Sequence, residues 1–245
     1  MERLNKVLAA AGFGSRRQCD DLIRNRRVSV DGEKINDLGR KVDEAQEIAV
    51  DGRPIHRQKL VYWVVNKPKG YLCTNYDPAG RPRVIDLMLH VPERVYTVGR
   101  LDEDSEGLIL LTNDGELAQR LTHPRYGIEK TYLVQVAGAP TPEEIERLQK
   151  GVWTSDGLCR AKRVKKLGKQ GESTWMQIVL AEGKNREIRR MLAKLGHKVL
   201  NLRRIAIGPI HLSRLKRGKA RRVSFDEIKL LRKIAFGRAR AEAKQ

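Results

Sequence analysis

Apolar residues fall at helical spacing near the start of the chain. Leu4, Val7, Leu8 and Ala11 mark one face, and Gly12 ends that run. Ser15 stands where an N-cap belongs and opens a second helix to about Asn25, with Leu22 and Ile23 turned inward. From residue 28 the period drops to two. VSVDG (28–32) and EIAVDG (47–52) read as short strands closed by Asp-Gly turns. Two helices and a few short strands bury little apolar area, so residues 1–59 form a small unit beside a larger one. Pro54 and the polar run at 56–59 lead into that larger unit, residues 60–235. Its predicted strands are VYWVVN (61–66), the apolar run GLILL (107–111), KTYLVQVAG (130–138) and TWMQIVLA (174–181). Helices are predicted from TNDGELAQRL, from the capped start at Thr141 and over residues 184–195. The strands do not alternate regularly with helices, as a doubly wound fold demands.

The 245 residues suit one domain of medium size with a small companion. Charge adds a partner to this picture. The formal net charge is +20, and its distribution is uneven. Residues 183–245 carry 20 basic and 4 acidic side chains, whereas residues 60–182 carry 17 and 16. Such a balance predicts binding to a polyanion. With no aromatic-rich membrane helix and no apolar stretch near the ~18 residues of a span, that polyanion is expected to be nucleic acid. The charged start MERLNKVLAAAG lacks a secretory pattern, and the chain is expected to be cytoplasmic. Cys19, Cys73 and Cys159 are odd in number and far apart, which speaks against a disulfide framework. The five histidines show no metal spacing, so no metal is expected.

Several stretches offer chemistry. The glycines of AGFGSRR follow a helix and not a strand, and Arg17 occupies the third glycine position, so a dinucleotide fingerprint fails. The better reading is a basic surface drawn from Arg3, Lys6, Arg16, Arg17, Arg24, Arg26 and Arg27. GRLDEDSEGLILLTNDG (99–115) sets Asp102, Glu103, Asp104 and Glu106 together in a chain that otherwise attracts anions. A calcium loop fails at its twelfth position, Asn113, which leaves a solvated turn or a catalytic carboxylate beside a buried strand. In EGKNREIRRM, Ile188, Met191, Leu192 and Leu195 define a buried helix face. Arg186 and Arg190 then point away from it, and Arg189 on the flank is placed to reach a carboxylate of the 102–106 cluster or a phosphate. Tyr132 shares the core face of its strand with Val134 and Val136, as a core tyrosine or as a stacking platform for a nucleobase. NKPKG (66–70) ends a strand, and Lys67 and Lys69 could serve a turn or meet phosphate.

The segment RLNKVLAAAGFGSRRQCDDLIRNRRVSVDG resembles the small RNA-binding domain shared with ribosomal protein S4. With NKPKG, GRLDEDSEGLILLTNDG, EKTY, EGKNREIRRM and LRRIAIGPIHL, the chain to about residue 235 resembles the RsuA/RluB-type ribosomal-RNA pseudouridine synthases, and the large-subunit type above all. The resemblance implies an α+β fold: a catalytic domain (60–235) with a mixed, mainly antiparallel sheet flanked by helices, a helix-rich S4-like domain (1–59) and a basic tail (236–245). It implies that Asp102 is the catalytic aspartate, that Tyr132 contacts the base and that Arg189 pairs with Asp102. RNA contacts are expected from Arg3, Lys6, Arg16 and Arg17, and from Asn66, Lys67, Arg100, Lys184, Arg186 and Arg190. The implied activity is isomerisation of uridine to pseudouridine in ribosomal RNA, most directly that of the large subunit, by a monomer without a cofactor. The partner is ribosomal RNA or an assembly intermediate. The alternatives are a synthase for small-subunit or transfer RNA, or a non-catalytic RNA-binding assembly factor.

Overall fold

Helices α1 (Leu4–Ala10) and α2 (Arg16–Arg24) form where the apolar spacing predicts them. The Ser15 hydroxyl accepts from the Gln18 N–H at 3.2 Å, and Gln18 Oε1 accepts from the Ser15 N–H at 2.8 Å, a reciprocal cap on α2. Strands Val28–Val30 and Glu33–Ile35, and again Ile48–Val50 and Arg53–Pro54, pair across two-residue loops. Positive φ at Asp31 and Gly32 (52° and 83°) and at Asp51 and Gly52 (50° and 77°) gives the turn that matches strand twist. These hairpins make a four-stranded sheet over a core that includes Leu4, Leu8, Cys19, Ile23 and Val28.

The structure is a computed structural model that describes residues 1–242, with side chains described to Gly237. It divides into two compact units. The first comprises Met1–Val61 with His90–Val95 and Asn113–Gly115, and the second holds Tyr62–Leu89, Tyr96–Thr112 and the chain from Glu116 onward. Asn113 belongs to the first unit by bonding, since its side chain accepts from the Val61 N–H and donates to the Lys59 carbonyl. Among the described residues no helix is long and apolar enough to cross a membrane.

The second unit is built on a nine-stranded sheet. Its main path runs Arg163–Gln170, Ser173–Leu180, Lys130–Ala137, Val199–Ile207, Glu106–Thr112, Tyr62–Lys67, Ala220–Arg222. Neighbours are antiparallel except Val199–Ile207 beside Glu106–Thr112, which run parallel. The sheet is therefore mixed and mainly antiparallel. Helices α3 (Gly115–Thr122), α4 (Pro142–Lys150), α5 (Glu187–Lys194) and α6 (Phe225–Glu242) complete the unit. Leu148 of α4 and Met191 and Leu192 of α5 join one apolar cluster with Val134, Val136 and Ile178. Leu117 and Leu121 of α3 and Leu231 of α6 join a second with Leu108, Leu110 and Ile207.

Two elements differ from the sequence reading. Helix α5 starts at Glu187 and not at 184, because Arg186 adopts left-handed backbone (φ 48°) and the Lys184 N–H is taken by Glu187 Oε2 at 3.0 Å. Helix α6 continues through Phe236, where the 236–245 tail was expected to begin, and reaches Glu242. Phe236 packs against the second cluster, with the Arg120 guanidinium 4.1 Å from its ring centre. Residues 243–245 of that tail lie outside the described residues.

The parallel pair needs a glycine. Gly107 has φ +104°, and a Cβ there would stand 2.3 Å from the Arg204 carbonyl oxygen. Backbone cannot yield as a flexible side chain can. Gly107→Ala is expected to cost about 3 kcal/mol of stability from clash and strain together. Urea unfolding measures this, and an unaltered midpoint would contradict the close approach.

Candidate active site

The strand Glu106–Thr112 is buried at all seven positions, so the loop before it emerges from the middle of the sheet. That loop carries Asp102 and is held from several sides. The Ser105 N–H donates to the Asp102 carbonyl at 3.1 Å, closing the turn. The Gly70 N–H donates to the Glu103 carbonyl at 2.8 Å, and Cys73 Sγ accepts from the Leu101 N–H at 3.4 Å. Lys67 is wholly buried, and its ammonium donates to the carbonyls of Ser105 (2.6 Å), Pro68 (3.0 Å) and Glu103 (3.3 Å). Burial pulls the Lys67 amine below its ordinary range, while the neighbouring Cys73 and acid cluster pull it back up.

Lys67 is thus no RNA contact. A cation surrounded by carbonyls at the end of a buried strand has no face left for phosphate. Asn66 is corrected in the same way: it is fully buried and donates to the Leu215 carbonyl at 2.7 Å. Both residues point inward because the strand Tyr62–Lys67 is buried on both faces toward its end, so alternation gives no solvent side there.

The arginines of α5 are also distributed differently from expectation. Arg186 Nη1 lies 3.4 Å from Asp102 Oδ2 and 3.5 Å from Asp104 Oδ1. Arg189 Nη2 lies 3.1 Å from Asp104 Oδ2 and also donates to Ser105 Oγ at 3.3 Å. In place of the expected Arg189–Asp102 pair, Arg186 meets Asp102 and Asp104, and Arg189 meets Asp104. Helical spacing misplaced Arg186 because that residue precedes the helix, and its left-handed backbone swings the side chain toward the loop. Nor is the pair deeply buried, since the Asp102 side chain is 28% exposed and that of Arg186 44%. Arg190 pairs with Asp156 and donates to Asn185 Oδ1. It is held by protein acceptors where the sequence suggested a free phosphate contact.

Asp102 lines a cavity of about 130 Å³ together with Tyr132, Arg186, Lys130, Glu187 and Arg204. The roughly 300–1,000 Å³ of pockets for drug-sized ligands is larger, and this one suits a single ring. Arg100 and Lys184 also reach its wall. Arg100 is exposed, whereas the Lys184 ammonium is drawn to the Leu158 carbonyl at 2.7 Å. Tyr132 is 8% exposed, at the boundary between core and cavity, so the core and platform readings describe two sides of one ring. In the first unit Arg3, Lys6, Arg16 and Arg17 are exposed, with Lys6 paired to Glu2 at 2.7 Å and Arg16 donating to Asn5 Oδ1 at 3.2 Å. Among the described residues no group of three His, Cys, Asp or Glu side chains could hold a metal ion.

Three inward charges of the cavity went unnoticed in the sequence. Arg204 is 3% exposed, and its Nε donates to the Leu108 carbonyl at 2.7 Å. Burial pushes the Lys130 amine down to about 8, helped by the charge of Arg204 and opposed by Glu187. Glu187 is 3% exposed, and burial raises its carboxyl above the usual range. Strand and helix periodicity held the signal. Lys130 shares parity with Tyr132, Arg204 lies between Leu202 and Ala206 on the buried side, and Glu187 precedes Met191 by one turn.

The cavity thus brings together a carboxylate, an arginine beside it and a buried tyrosine, in a strongly basic chain. Comparison with known proteins assigns the chain to a class. Residues 61–194 match the RNA pseudouridylate synthase family and residues 2–55 match the S4 domain, and the chain belongs to that synthase family. It is 40% identical to ribosomal large subunit pseudouridine synthase B of Bacillus subtilis (strain 168), covering 96% of this chain and 97% of that protein. It is 42% identical to an uncharacterized RNA pseudouridine synthase of Aquifex aeolicus (strain VF5), with 92% of each covered. A crystal structure of a pseudouridylate synthase superposes with a TM-score of 0.67 at 29% identity, over 94% of this chain and 100% of that one.

Proposed function

We propose that this protein isomerises uridine to pseudouridine at a site in large-subunit ribosomal RNA, with Asp102 as its catalytic carboxylate. The observation that carries the reading is the common cavity of Asp102 and Tyr132, with Arg186 at 3.4 Å from the acid, in a member of the pseudouridylate synthase family. The choice of large-subunit RNA is supported by the relative aligned over nearly its whole length.

The reaction breaks the bond between N1 and the sugar, turns the uracil and rejoins it through C5. A proton leaves C5 and N1 ends with one, so product and substrate are isomers. No oxidant, reductant or group donor enters this balance, and no cofactor is needed. The target base leaves its stack at a cost of a few kcal/mol, which stacking on Tyr132 offsets in part. Asp102 acts at the sugar or base, faced by the positive charge of Arg186. Arg189 is a positioning residue, because it grips Asp104 and Ser105 at the C-terminal end of the turn that presents Asp102. The cavity walls keep the detached uracil beside the sugar until the new bond forms.

The exposed arginines of the first unit and the basic last quarter hold the RNA backbone, and bases freed from pairing give specificity. We expect a monomer working in the cytoplasm on ribosomal RNA or an assembly intermediate. The test is incubation of the purified protein with large-subunit, small-subunit and transfer RNA, followed by pseudouridine mapping. Product in large-subunit RNA supports the proposal. Product only in another RNA reassigns the substrate, and binding without product in any of them leaves an assembly factor.

Affinity for RNA is expected to fall at least roughly a hundredfold between about 50 and 200 mM salt, as bound counterions are released. Filter binding at several salt concentrations measures the slope. A flat response would remove the polyanion argument.

A further inference from the structure

A second hollow opens beside the first. It is a groove of about 600 Å³ whose lining includes Lys69, Lys198, Leu200, Arg189, Asp104 and Arg186. Arg186 also walls the cavity of Asp102, so one side chain separates the two hollows. The smaller cavity suits a ring alone, whereas the groove lies within the roughly 300–1,000 Å³ that takes a ligand of nucleotide size. Among the described residues, four of its lining side chains are permanently cationic and one, Asp104, is a carboxylate.

Two of those cations are already engaged. Arg186 meets Asp102 and Asp104, and Arg189 meets Asp104. The lysines are not: among the described residues neither pairs with a carboxylate, and the Lys69 ammonium donates to the neutral Asn201 Oδ1 at 2.6 Å, which leaves it two donors. Both lysines are exposed, yet the backbone beneath each is fixed. Lys69 follows Pro68 in the turn where the Gly70 N–H donates to the Glu103 carbonyl at 2.8 Å. Lys198 follows the end of α5, and its carbonyl accepts from the Ala137 N–H at 2.9 Å. The ring of its neighbour His197 bonds the Ala137 carbonyl at 2.9 Å and Glu144 Oε2 at 3.0 Å. Leu200, 43% exposed, adds apolar surface to the same groove.

Resting on the synthase reading above, we propose that this groove receives the nucleotide joined to the target uridine, with Lys69 and Lys198 on its phosphate and Leu200 against its sugar and base. A hollow for one ring and, one side chain away, a larger hollow with two ammonium groups that lack acidic partners match a flipped base and the charged strand that continues from it. A lysine binds phosphate as a point charge and releases counterions as it does so. Fixed backbone at both lysines sets where that charge stands, as a solvated basic tail does not. A single groove beside the cavity receives a single flank, so recognition reaches the neighbour on one side of the target uridine and not the other.

The test uses the full-length protein and a ribosomal-RNA fragment holding the mapped uridine, made with a neutral methylphosphonate at the phosphate before it, at the phosphate after it, or at neither. A variant with both Lys69→Ala and Lys198→Ala is compared with the wild type and with a control carrying Lys165→Ala and Lys169→Ala. The control loses equal charge from the exposed strand Arg163–Gln170 at the edge of the sheet. Single-turnover kinetics gives the half-saturating enzyme concentration and the maximal rate. In the groove variant the first is expected to rise roughly tenfold and the second to hold. One of the two methylphosphonates is expected to cost the wild type a similar factor and the groove variant nothing further, since both changes remove one contact. Additive losses at both phosphates, or a rise no larger than the control's, would overturn the inference. A lower maximal rate with unchanged half-saturation would make the lysines supports of the Asp102 turn and overturn it as well. A wild type that forms no product in any RNA removes the synthase reading and this inference together, whereas product without that coupling removes the inference alone.

Discussion

Asp102→Asn is expected to lower pseudouridine formation at least roughly a thousandfold, the scale on which removal of a reacting side chain acts. The substitution preserves shape and leaves the turn intact, because the Ser105 N–H bonds to the backbone carbonyl of residue 102 and not to its side chain. RNA affinity is expected to stay near the wild-type value, since the exposed basic residues are untouched. Single-turnover kinetics on the mapped RNA, beside filter binding, measures both quantities. Retained catalysis in the variant would move the chemistry to another group.

Lys67→Met carries the second large effect. The methionine fills much of the space but leaves the carbonyls of Ser105, Pro68 and Glu103 without their donor. Each orphaned acceptor costs about 1–3 kcal/mol, offset in part because a buried charge is also removed. A net loss of about 2 kcal/mol in urea unfolding is expected on that balance. Catalysis is expected to fall by roughly a hundredfold, because the Asp102 turn loses its main internal support and small displacements are costly in an active site. RNA affinity should not change. A phosphate-binding lysine would give the opposite outcome, with weaker binding and intact stability, so the two roles are distinguishable in one set of measurements.

Much of the fold was legible in the residues. The Ser15 cap, the Asp-Gly hairpins and the continuous apolar run before Thr112 each follow from local chemistry, and local chemistry survives packing. Of the residues a motif named, Asp102 and Tyr132 do share one cavity. The candidate site was misread where a residue's environment depended on distant strands. Lys67 and Asn66 looked like a basic turn because the strands that enclose them are remote in sequence. Arg186 was assigned by helical spacing to a helix that it does not enter. Lys130, Glu187 and Arg204 were overlooked because charge suggested solvent, although the alternation of their own elements placed them inward.

Among the described residues, the one parallel contact in the large sheet couples Glu106 and Gly107 to Arg203 and Arg204, almost a hundred positions later. Such long-range pairing forms slowly, since a large loop must close before any contact rewards it. The supports of the aspartate turn at Lys67, Gly70 and Cys73 are made early, whereas the cavity wall supplied by Leu202, Arg204 and Ile207 is absent until the strand through Ile207 has been synthesised. A polypeptide stopped short of that strand would carry the proposed catalytic acid yet lack that wall, and it is expected to be inactive.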